Sequence, residues 1–322
     1  MLIPRAMYQR VAIMALLSVA VAWGGKKKNP DDITQTLDLP KDPPMVAIGE
    51  TRRLVFNVSP LSAKGLLSQQ TREALKAILK ANGGAPVVHI RAFVAGSGDL
   101  RRVPQIVSEV FTEKKLPLPS VSVLQAGALP LENAQVVLEA VSLAKKEVNP
   151  DGLTFVEAQT AGSIEKSLEQ LASRLGGATA LQVSCFVSNI AAPAPIAARF
   201  PSAAVDLVQT QRAPVRSEAS CEAVGRGGNI REAKLAFTGT QVAFGGDEKA
   251  ARLAFQRIDR DLSEAGVQPA DMIATNIYPL SLSIGDLARK VRSTSGAVTV
   301  IPFEGIASVD GSFAIDVVAV SK

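Results

Sequence analysis

Apolar and polar residues follow one another in a pattern that predicts the same series of elements three times. In the first copy, a strand at about residues 54–58 leads to an amphipathic helix that ends at Gly83, with Ser68 as its candidate N-cap. The strand-like run PVVHIRAFVAG, a second helix at about 101–113 and two further extended runs complete the copy. The order is therefore strand, helix, strand, helix and two strands.

The same order returns from LTFVEAQTAG onward and again from KLAFTGTQVAFGG onward. Ser163 and Asp247 stand at the N-cap positions of the corresponding first helices. In the second copy, three prolines restrict the second helix to a turn or two: Pro193, Pro195 and Pro201. The pattern predicts three homologous α+β domains rather than a solenoid, whose repeats are shorter.

The last two runs of the first copy, LPSVSVLQAG and ALPLENAQVVLEAV, predict a hairpin with a loop at Leu129 and Pro130. The final strand is nearly continuous in apolar residues, which is typical of a strand that is covered on both faces. Each copy has enough helices to cover only one face. We therefore expect the three domains to pack against one another around a common interior.

The N-terminus has the pattern of a secretory signal peptide. Arg5 and Arg10 precede an apolar segment at 11–23, and the sequence AVA at 20–22 fits a cleavage site. The segment is shorter than the about 20 residues of a transmembrane helix. This pattern predicts a periplasmic or secreted protein with no other membrane contact. Lysines directly after the segment oppose export, and a true start near Met45 is the alternative, which would leave the protein in the cytoplasm.

The domain organisation that follows has five parts. A polar, proline-bearing linker separates the signal peptide from the folded region. The predicted boundaries are 1–25 for the signal peptide, 26–49 for the linker, and 50–149, 150–228 and 229–322 for the three domains.

Composition narrows the classes of function. The 322 residues are 47% hydrophobic and 20% charged, as in packed globular proteins. The net charge of +5 is scattered along the chain, so we expect no nucleic-acid partner. The single histidine, His89, lies in an apolar run, which argues against a metal site, and no cofactor motif is present. An aromatic content of 4% and the lack of paired histidines disfavour ribonuclease activity.

Several segments carry a family resemblance. VVHIRAFVAGSGDLRRVPQIVSEVFTEKKLPLPS and ALPLENAQVVLEAV in the first copy, RFPSAAVDLVQTQRAP in the second and, more faintly, GTQVAFGG in the third resemble the YjgF/RidA family of enamine and imine deaminases, also called the L-PSP endoribonuclease family. Members are homotrimers of a chorismate-mutase-like α+β domain, with sheets inside, helices outside and ligand clefts between subunits. The resemblance implies that three chorismate-mutase-like domains form a monomeric, single-chain pseudotrimer.

The resemblance also implies which positions carry chemistry. In the family, an arginine two residues after a proline binds the substrate carboxylate as a planar fork, and a glutamate in the final strand helps to place the water. The positions equivalent to the arginine are Val121, Val205 and Thr299. The positions equivalent to the glutamate are Val137, Ser220 and Ala314. Neither group is present in any copy.

Other polar residues are candidates for the clefts. Three acids recur at one position of the last strand and serve either as acids and bases or as ion-pair partners: Glu139, Glu222 and Asp316. Two glutamines match the glutamine of the family's SGQ signature, with a structural hydrogen bond as the alternative role: Gln159 and Gln241. Two loop arginines are either a substitute cation or solvated surface: Arg212 and Arg216.

Two functions remain open. Loss of the arginine predicts a non-catalytic protein whose clefts bind a small carboxylate ligand or a partner protein. The alternative is an active imine deaminase, acting on C=N bonds, in which Arg212 or Arg91 holds the carboxylate.

Cys185 and Cys221 both lie in the second copy. Export would permit a disulfide between them. Because adjacent strands seldom give good disulfide geometry, we expect two buried thiols.

Overall fold

The structure is a computed structural model, and it describes the backbone of strand β1 (Val46–Gly49) and residues 54–96, 99–143, 152–190, 194–210, 218–226, 235–292, 296–306, 308 and 310–320. The predicted signal peptide and most of the predicted linker lie outside these residues, as do Arg212 and Arg216. No helix in the described ranges is long and apolar enough to cross a membrane.

The order of elements repeats three times after β1. The first copy contains β2 (Leu54–Val58), α1 (Leu67–Ala81), β3 (Val87–Ala95), α2 (Arg102–Glu113), β4 (Ser120–Ala126) and β5 (Val136–Leu143). The second contains β6 (Leu153–Ala161), α3 (Ile164–Leu175), β7 (Thr179–Val187), α4 (Ala194–Arg199), β8 (Ala204–Gln209) and β9 (Ala219–Arg226). The third contains β10 (Leu235–Phe237), β11 (Gln241–Phe244), α5 (Glu248–Glu264), β12 (Met272–Pro279), α6 (Leu282–Val291), β13 (Ala297–Val300), β14 (Gly305–Ile306) and β15 (Gly311–Val320).

Each copy forms its own sheet with the same strand order. The orders are β2-β5-β3-β4 in the first copy, β6-β9-β7-β8 in the second and β10-β15-β12-β13 in the third, where β11 also pairs with β15. In all three sheets the last long strand is central. The parallel pairs are β3 with β4, β7 with β8, and β12 with β13. The prediction of three α+β domains in one chain is confirmed.

The predicted hairpin is wrong. Strands β4 and β5 do not pair, because β3 lies between them, parallel to β4 and antiparallel to β5. The helix between β3 and β4 is a crossover, and a crossover joins parallel neighbours in a sheet. The following chain must then pass over β3 to reach its central place. A central strand is covered on both faces, which accounts for the apolar character of β5.

Helix boundaries largely follow the local signals. Ser163 accepts a hydrogen bond from the backbone of Lys166, and Asp247 accepts one from Ala250, so both predicted N-caps are confirmed. Ser68 is not a cap, because α1 begins one residue earlier and its N-cap residue makes no side-chain bond. The proline-rich second helix of copy two has 6 residues, as expected.

Sheets form the interior and helices lie outside them. One face of each sheet packs on the helices of its own copy in three separate clusters, which contain Leu75, Leu171 and Ile258. The opposite faces meet in clusters shared by all three copies. Edge strand β4 contacts β6, and edge strand β13 contacts β2. The single chain thus closes into a pseudotrimeric ring.

Two short strands cross the expected domain boundaries. β1 lies in the segment predicted as linker, and it pairs with β6 of the second copy. β14 of the third copy pairs with β8 of the second. The region from Pro40 to Lys322 accordingly forms one compact unit.

The two cysteines form a disulfide, so the expectation of two thiols is wrong. Cys185 and Cys221 are directly opposite each other on β7 and β9, with their Cα atoms 4.1 Å apart. That short separation is typical of the closer of the two pair types in an antiparallel ladder. The sequence shows both residues on strands but does not show that the two strands are neighbours in this register.

We predict that replacing both cysteines with alanine lowers the free energy of unfolding by about 2–4 kcal/mol, because the disulfide restricts the unfolded chain. Urea unfolding of the variant and of the wild type measures the difference. Reduced wild-type protein is the control and should match the variant. Alkylation of two thiols in denaturant without reductant would contradict the disulfide.

Candidate functional site

A polar layer crosses the centre of the ring. Each recurrent acid lies opposite a polar residue of the middle strand, in the pairs Glu139–Arg91, Glu222–Ser184 and Asp316–Asn276. A buried aromatic layer lies two residues further along the middle strands than these polar residues: Phe93, Phe186 and Tyr278. Below the polar layer is the second shared apolar cluster, which contains Phe155 and Val318. The acids therefore lie between two apolar layers.

Arg91 joins acids from two copies. Its guanidinium donates a 2.9 Å hydrogen bond to Glu139 of its own copy and further hydrogen bonds to Glu222 of the second copy. Burial lowers the pKa of Arg91, but the negative charges of Glu222 and Glu139 outweigh this effect and raise the pKa well above its usual value. Arg91 is thus a fixed cation that links the first two copies.

The acids also face the edge strands of neighbouring copies. Three residues share one register position on these strands: Ser122, Asp206 and Thr299. The hydroxyl of Thr299 is near Glu139 and that of Ser122 is near Glu222, and each opposes the rise that burial causes in the pKa of its acid. At the third interface, the pattern places Asp206 beside Asp316. A carboxyl group there replaces the hydroxyl of the other two interfaces.

The two aspartates share an unusual environment. Asp206 accepts 2.8 Å hydrogen bonds from Gln182 and Ser184, and Asp316 accepts one of 2.8 Å from Asn276. Oδ1 of Asp206 and Oδ2 of Asp316 are buried and have no hydrogen-bond partner among the described residues. Burial raises the pKa of Asp206 to about 7. Burial and the charge of Asp206 raise the pKa of Asp316 well above its usual value. The pair therefore holds at least one proton near neutral pH.

His89 packs as a neutral ring. It stacks on Phe155 with centroids 5.5 Å apart, and its Nδ1 atom is 2.7 Å from the Ser120 hydroxyl. Burial lowers its pKa to about 4, although Glu222 opposes this effect. In the described part of the chain, no three His, Cys, Asp or Glu side chains are arranged to hold a metal ion.

The cleft between the first and second copies is largely filled by the chain itself. A bulge in β6 directs the backbone N–H of Ala158 to the hydroxyl of Ser122 at 2.9 Å. Burial raises the pKa of the neighbouring Glu157 to about 7, while a hydrogen bond from the backbone of Val121 opposes the rise. A cavity of about 30 Å³, lined partly by Ser220, remains.

The cleft between the second and third copies is closed by direct backbone contact. The N–H of Thr240 donates a 3.1 Å hydrogen bond to the carbonyl of Val205. A Cβ atom on Gly239 would lie 2.8 Å from the same oxygen, so only glycine permits this approach. Backbone therefore occupies the space beside the second arginine-equivalent position.

The cleft between the third and first copies is open. It contains a cavity of about 300 Å³. The walls include Val137, Val298 and Thr299, so positions that the family resemblance assigns to chemistry lie here. The strand registers place Val298 level with Val121 and Val205, and Thr299 one residue further along. Arg289 and Asp286 of α6 also line the cavity, and both are exposed. The cavity is thus apolar at its strands and charged at α6.

The predicted glutamines make local hydrogen bonds. Gln159 is buried and donates to the backbone carbonyl of Glu157 at 2.9 Å. Gln241 donates to Asp261 at 2.7 Å. Both bonds support the structural role that was the alternative for these residues.

Sequence reasoning missed three residues of the site. From the sequence, Arg91 is a candidate only as a substitute cation, and neither Asp206 nor Arg289 is a candidate. One signal was available for Arg91, because strand alternation in VVHIRAFV puts it on the same face as His89 and Phe93. Asp206 can be recognised only when β4, β8 and β13 are aligned by their register with the middle strands. Arg289 depends on how two copies are packed.

The architecture and the layered interior define an α+β pseudotrimer of three chorismate-mutase-like domains. Comparison with solved structures supports this class. A chorismatase crystal structure has 10% sequence identity and a TM-score of 0.50, and the match covers 85% of this chain and 99% of that one. This likeness shows the shared fold.

Structures of the YjgF family are also similar to single copies. The Escherichia coli YjgF gene product has 21% identity and a TM-score of 0.26, over 29% of this chain and 82% of that one. A family member from Mycobacterium tuberculosis has 21% identity and a TM-score of 0.26, over 28% and 81% of the two chains. No protein-family model and no curated protein sequence matches the chain.

We predict that Arg91→Met lowers the free energy of unfolding by about 3–5 kcal/mol, because it leaves two buried carboxylates without their cation. Urea unfolding at pH 7 measures the change. Arg101→Gln is the matched control, since its pair with Asp99 is exposed, and it should leave stability nearly unchanged. Equal effects of the two substitutions would contradict the structural role of Arg91.

We predict that Asp206→Asn changes the free energy of unfolding more favourably at pH 8 than at pH 5, when the variant is compared with the wild type at each pH. The folded pKa of about 7 exceeds the unfolded value, so the folded state binds the proton more tightly and wild-type stability falls as pH rises from about 4 through 7. The variant lacks this loss, and its relative gain should be on the order of 2 kcal/mol. Unfolding curves at both pH values test this.

Glu157 titrates in the same range but is present in both proteins, so its contribution cancels in the comparison. Asp310→Asn, at an exposed position, is the control and should show no pH-dependent gain. An Asp206→Asn effect that is the same at pH 5 and pH 8 would rule out the shared proton.

Proposed function

We propose that this protein is a non-catalytic, RidA-like pseudotrimer that binds a small carboxylate in the cleft between its third and first copies. The observation that carries the proposal is the cavity of about 300 Å³ at that cleft. Ligand pockets of small molecules begin at about this volume and are mostly apolar with a few placed polar groups.

Asymmetry among the three clefts supports a single ligand site. Ala158 and Glu157 fill the first cleft, and the backbone of Gly239 and Thr240 closes the second. The third cleft keeps its space although valines, Val137 and Val298, stand at the positions of the family's glutamate and arginine. A cavity without those groups favours binding over hydrolysis.

Arg289 is the cation that we assign to the ligand carboxylate. It lies at the cavity wall on α6, where a planar guanidinium can bind both oxygens of a carboxylate. Arg91 does not fill this role, because its guanidinium is buried and is already engaged by Glu139 and Glu222. Asp286, on the same helix wall, is suited to a hydroxyl or amine elsewhere on the ligand.

An active imine deaminase is the second candidate, and Arg289 is what favours it. In this reading the same arginine holds the carboxylate of a 2-imino acid. The chorismatase with the same fold adds chorismate to the set of carboxylates worth testing.

We further propose that the protein is exported and acts as a monomer. The disulfide between Cys185 and Cys221 supports an oxidising compartment, and the N-terminal sequence supports secretion. The three copies already cover one another's sheet faces, which supports a monomer.

We predict that Arg289→Gln weakens binding of the carboxylate ligand about tenfold, because an exposed charge-assisted hydrogen bond contributes about 1.4 kcal/mol. Calorimetric titration with chorismate, benzoate and pyruvate provides the measurement. Lys290→Gln is the matched control, since it removes an adjacent exposed charge that does not line the cavity. Equal affinity of the variant and the wild type for every bound carboxylate would exclude Arg289 from the site.

The catalytic alternative is tested separately. An amino-acid oxidase generates 2-imino acids, and their lifetime is measured with and without the protein. The proposal expects no acceleration above buffer for any side chain. Acceleration that is lost in Arg289→Gln but kept in Lys290→Gln would replace binding with deaminase activity.

A further inference from the structure

A second cavity lies at the centre of the ring, apart from the ligand cleft. Its volume is about 60 Å³. Phenylalanines from all three copies line its apolar side: Phe56, Phe155 and Phe237. Arg91, Glu139 and Glu222 line its polar side. The space is sufficient for about two particles of the size of water.

Two carboxylate oxygens at this cavity lack partners. Oε2 of Glu139 and Oε1 of Glu222 are held by Arg91. The other oxygen of each group, Oε1 of Glu139 and Oε2 of Glu222, is buried and has no hydrogen-bond partner among the described residues. Glu222 is only 3% exposed. Buried carboxylate oxygens are costly unless a donor or a cation satisfies them.

The charges around the cavity do not balance. At pH 8, Arg91 supplies one positive charge against the carboxylates of Glu139, whose pKa burial raises, and of Glu222, whose pKa is lowered because the charge of Arg91 and other nearby groups outweighs its burial. His89, which also lines the cavity, is 3.9 Å from Oε2 of Glu222 and is neutral near pH 7. The cavity walls therefore carry one excess negative charge in a region bounded by aromatic rings. Ring faces attract cations and give anions no comparable stabilisation.

We propose that the central cavity binds one small monovalent cation, of the class of ammonium or potassium, between the free oxygens of Glu139 and Glu222. One positive charge neutralises the excess, and these ions are close to water in size. The phenylalanine side chains bound the apolar side of a site with two oxygen ligands. A divalent ion does not suit it, because one excess negative charge would leave the second positive charge of the ion uncompensated in a buried site.

The first test is thermal unfolding of the wild-type protein at pH 8 in ammonium, potassium or N-methylglucamine chloride at equal ionic strength. Selective binding to the folded state raises the melting temperature with cation concentration. We expect a rise that grows with the logarithm of the cation concentration and reaches about 3 °C at tenfold the dissociation constant. The bulky N-methylglucamine ion should give no rise. Identical melting temperatures in the three salts would overturn the proposal.

A variant pair localises the effect. Glu139→Gln removes one ligand charge, and we expect the cation-dependent rise to disappear. Glu132→Gln, at an exposed position of the same copy, should keep the full rise. A rise that persists in Glu139→Gln would place the cation elsewhere and contradict the assignment.

Because Glu139 also binds Arg91, its variant is at risk of misfolding, and a measurement on the wild type avoids this difficulty. Thallium replaces potassium and scatters X-rays anomalously. Crystals grown in thallium acetate should show an anomalous peak between Oε1 of Glu139 and Oε2 of Glu222. Water alone at that place, or a protonated Glu139 with no peak, would refute the cation site.

Discussion

The interaction on which the interior depends is the bond of one guanidinium to two carboxylates from different copies. Arg91 holds Glu139 and Glu222 between two apolar layers, where neither acid tolerates loss of its cation. The equivalent positions of the other copies are Ser184 and Asn276, so the charge is present once in a threefold arrangement. The three interfaces cannot then be chemically identical, and a different residue stands at the same register position at each one: Thr299, Ser122 or a second aspartate, Asp206.

The same divergence extends from the centre to the clefts. Each cleft is formed by an edge strand of one copy and the first strand of the next. A bulge fills one of them, glycine brings backbone against another, and the last remains open beside α6. A homotrimer repeats one cleft three times, whereas a single chain can close two and keep one. Joining the copies therefore permits a single binding site while the other contacts stabilise the ring.

The elements and the repeat were predictable because they depend on local chemistry. Helical periodicity, the caps Ser163 and Asp247, and the prolines around α4 operate within a few residues. The hairpin and the thiols were predicted wrongly because each required knowledge of which strands are neighbours. The recurrent acids were found by counting, but their partners were not, since Arg91 bonds to a glutamate 131 residues away.

The sequence by itself determined the α+β class and the threefold repeat, because these follow from residue types and their spacing along the chain. Only the tertiary structure decided the role of Arg91, the pairing of Cys185 with Cys221, the effect of Asp206 on the pKa of Asp316 and the open cleft at Arg289. The reason is physical. Charge, burial and cavity volume depend on groups that meet across copies, and each copy's sequence specifies only one side of those contacts.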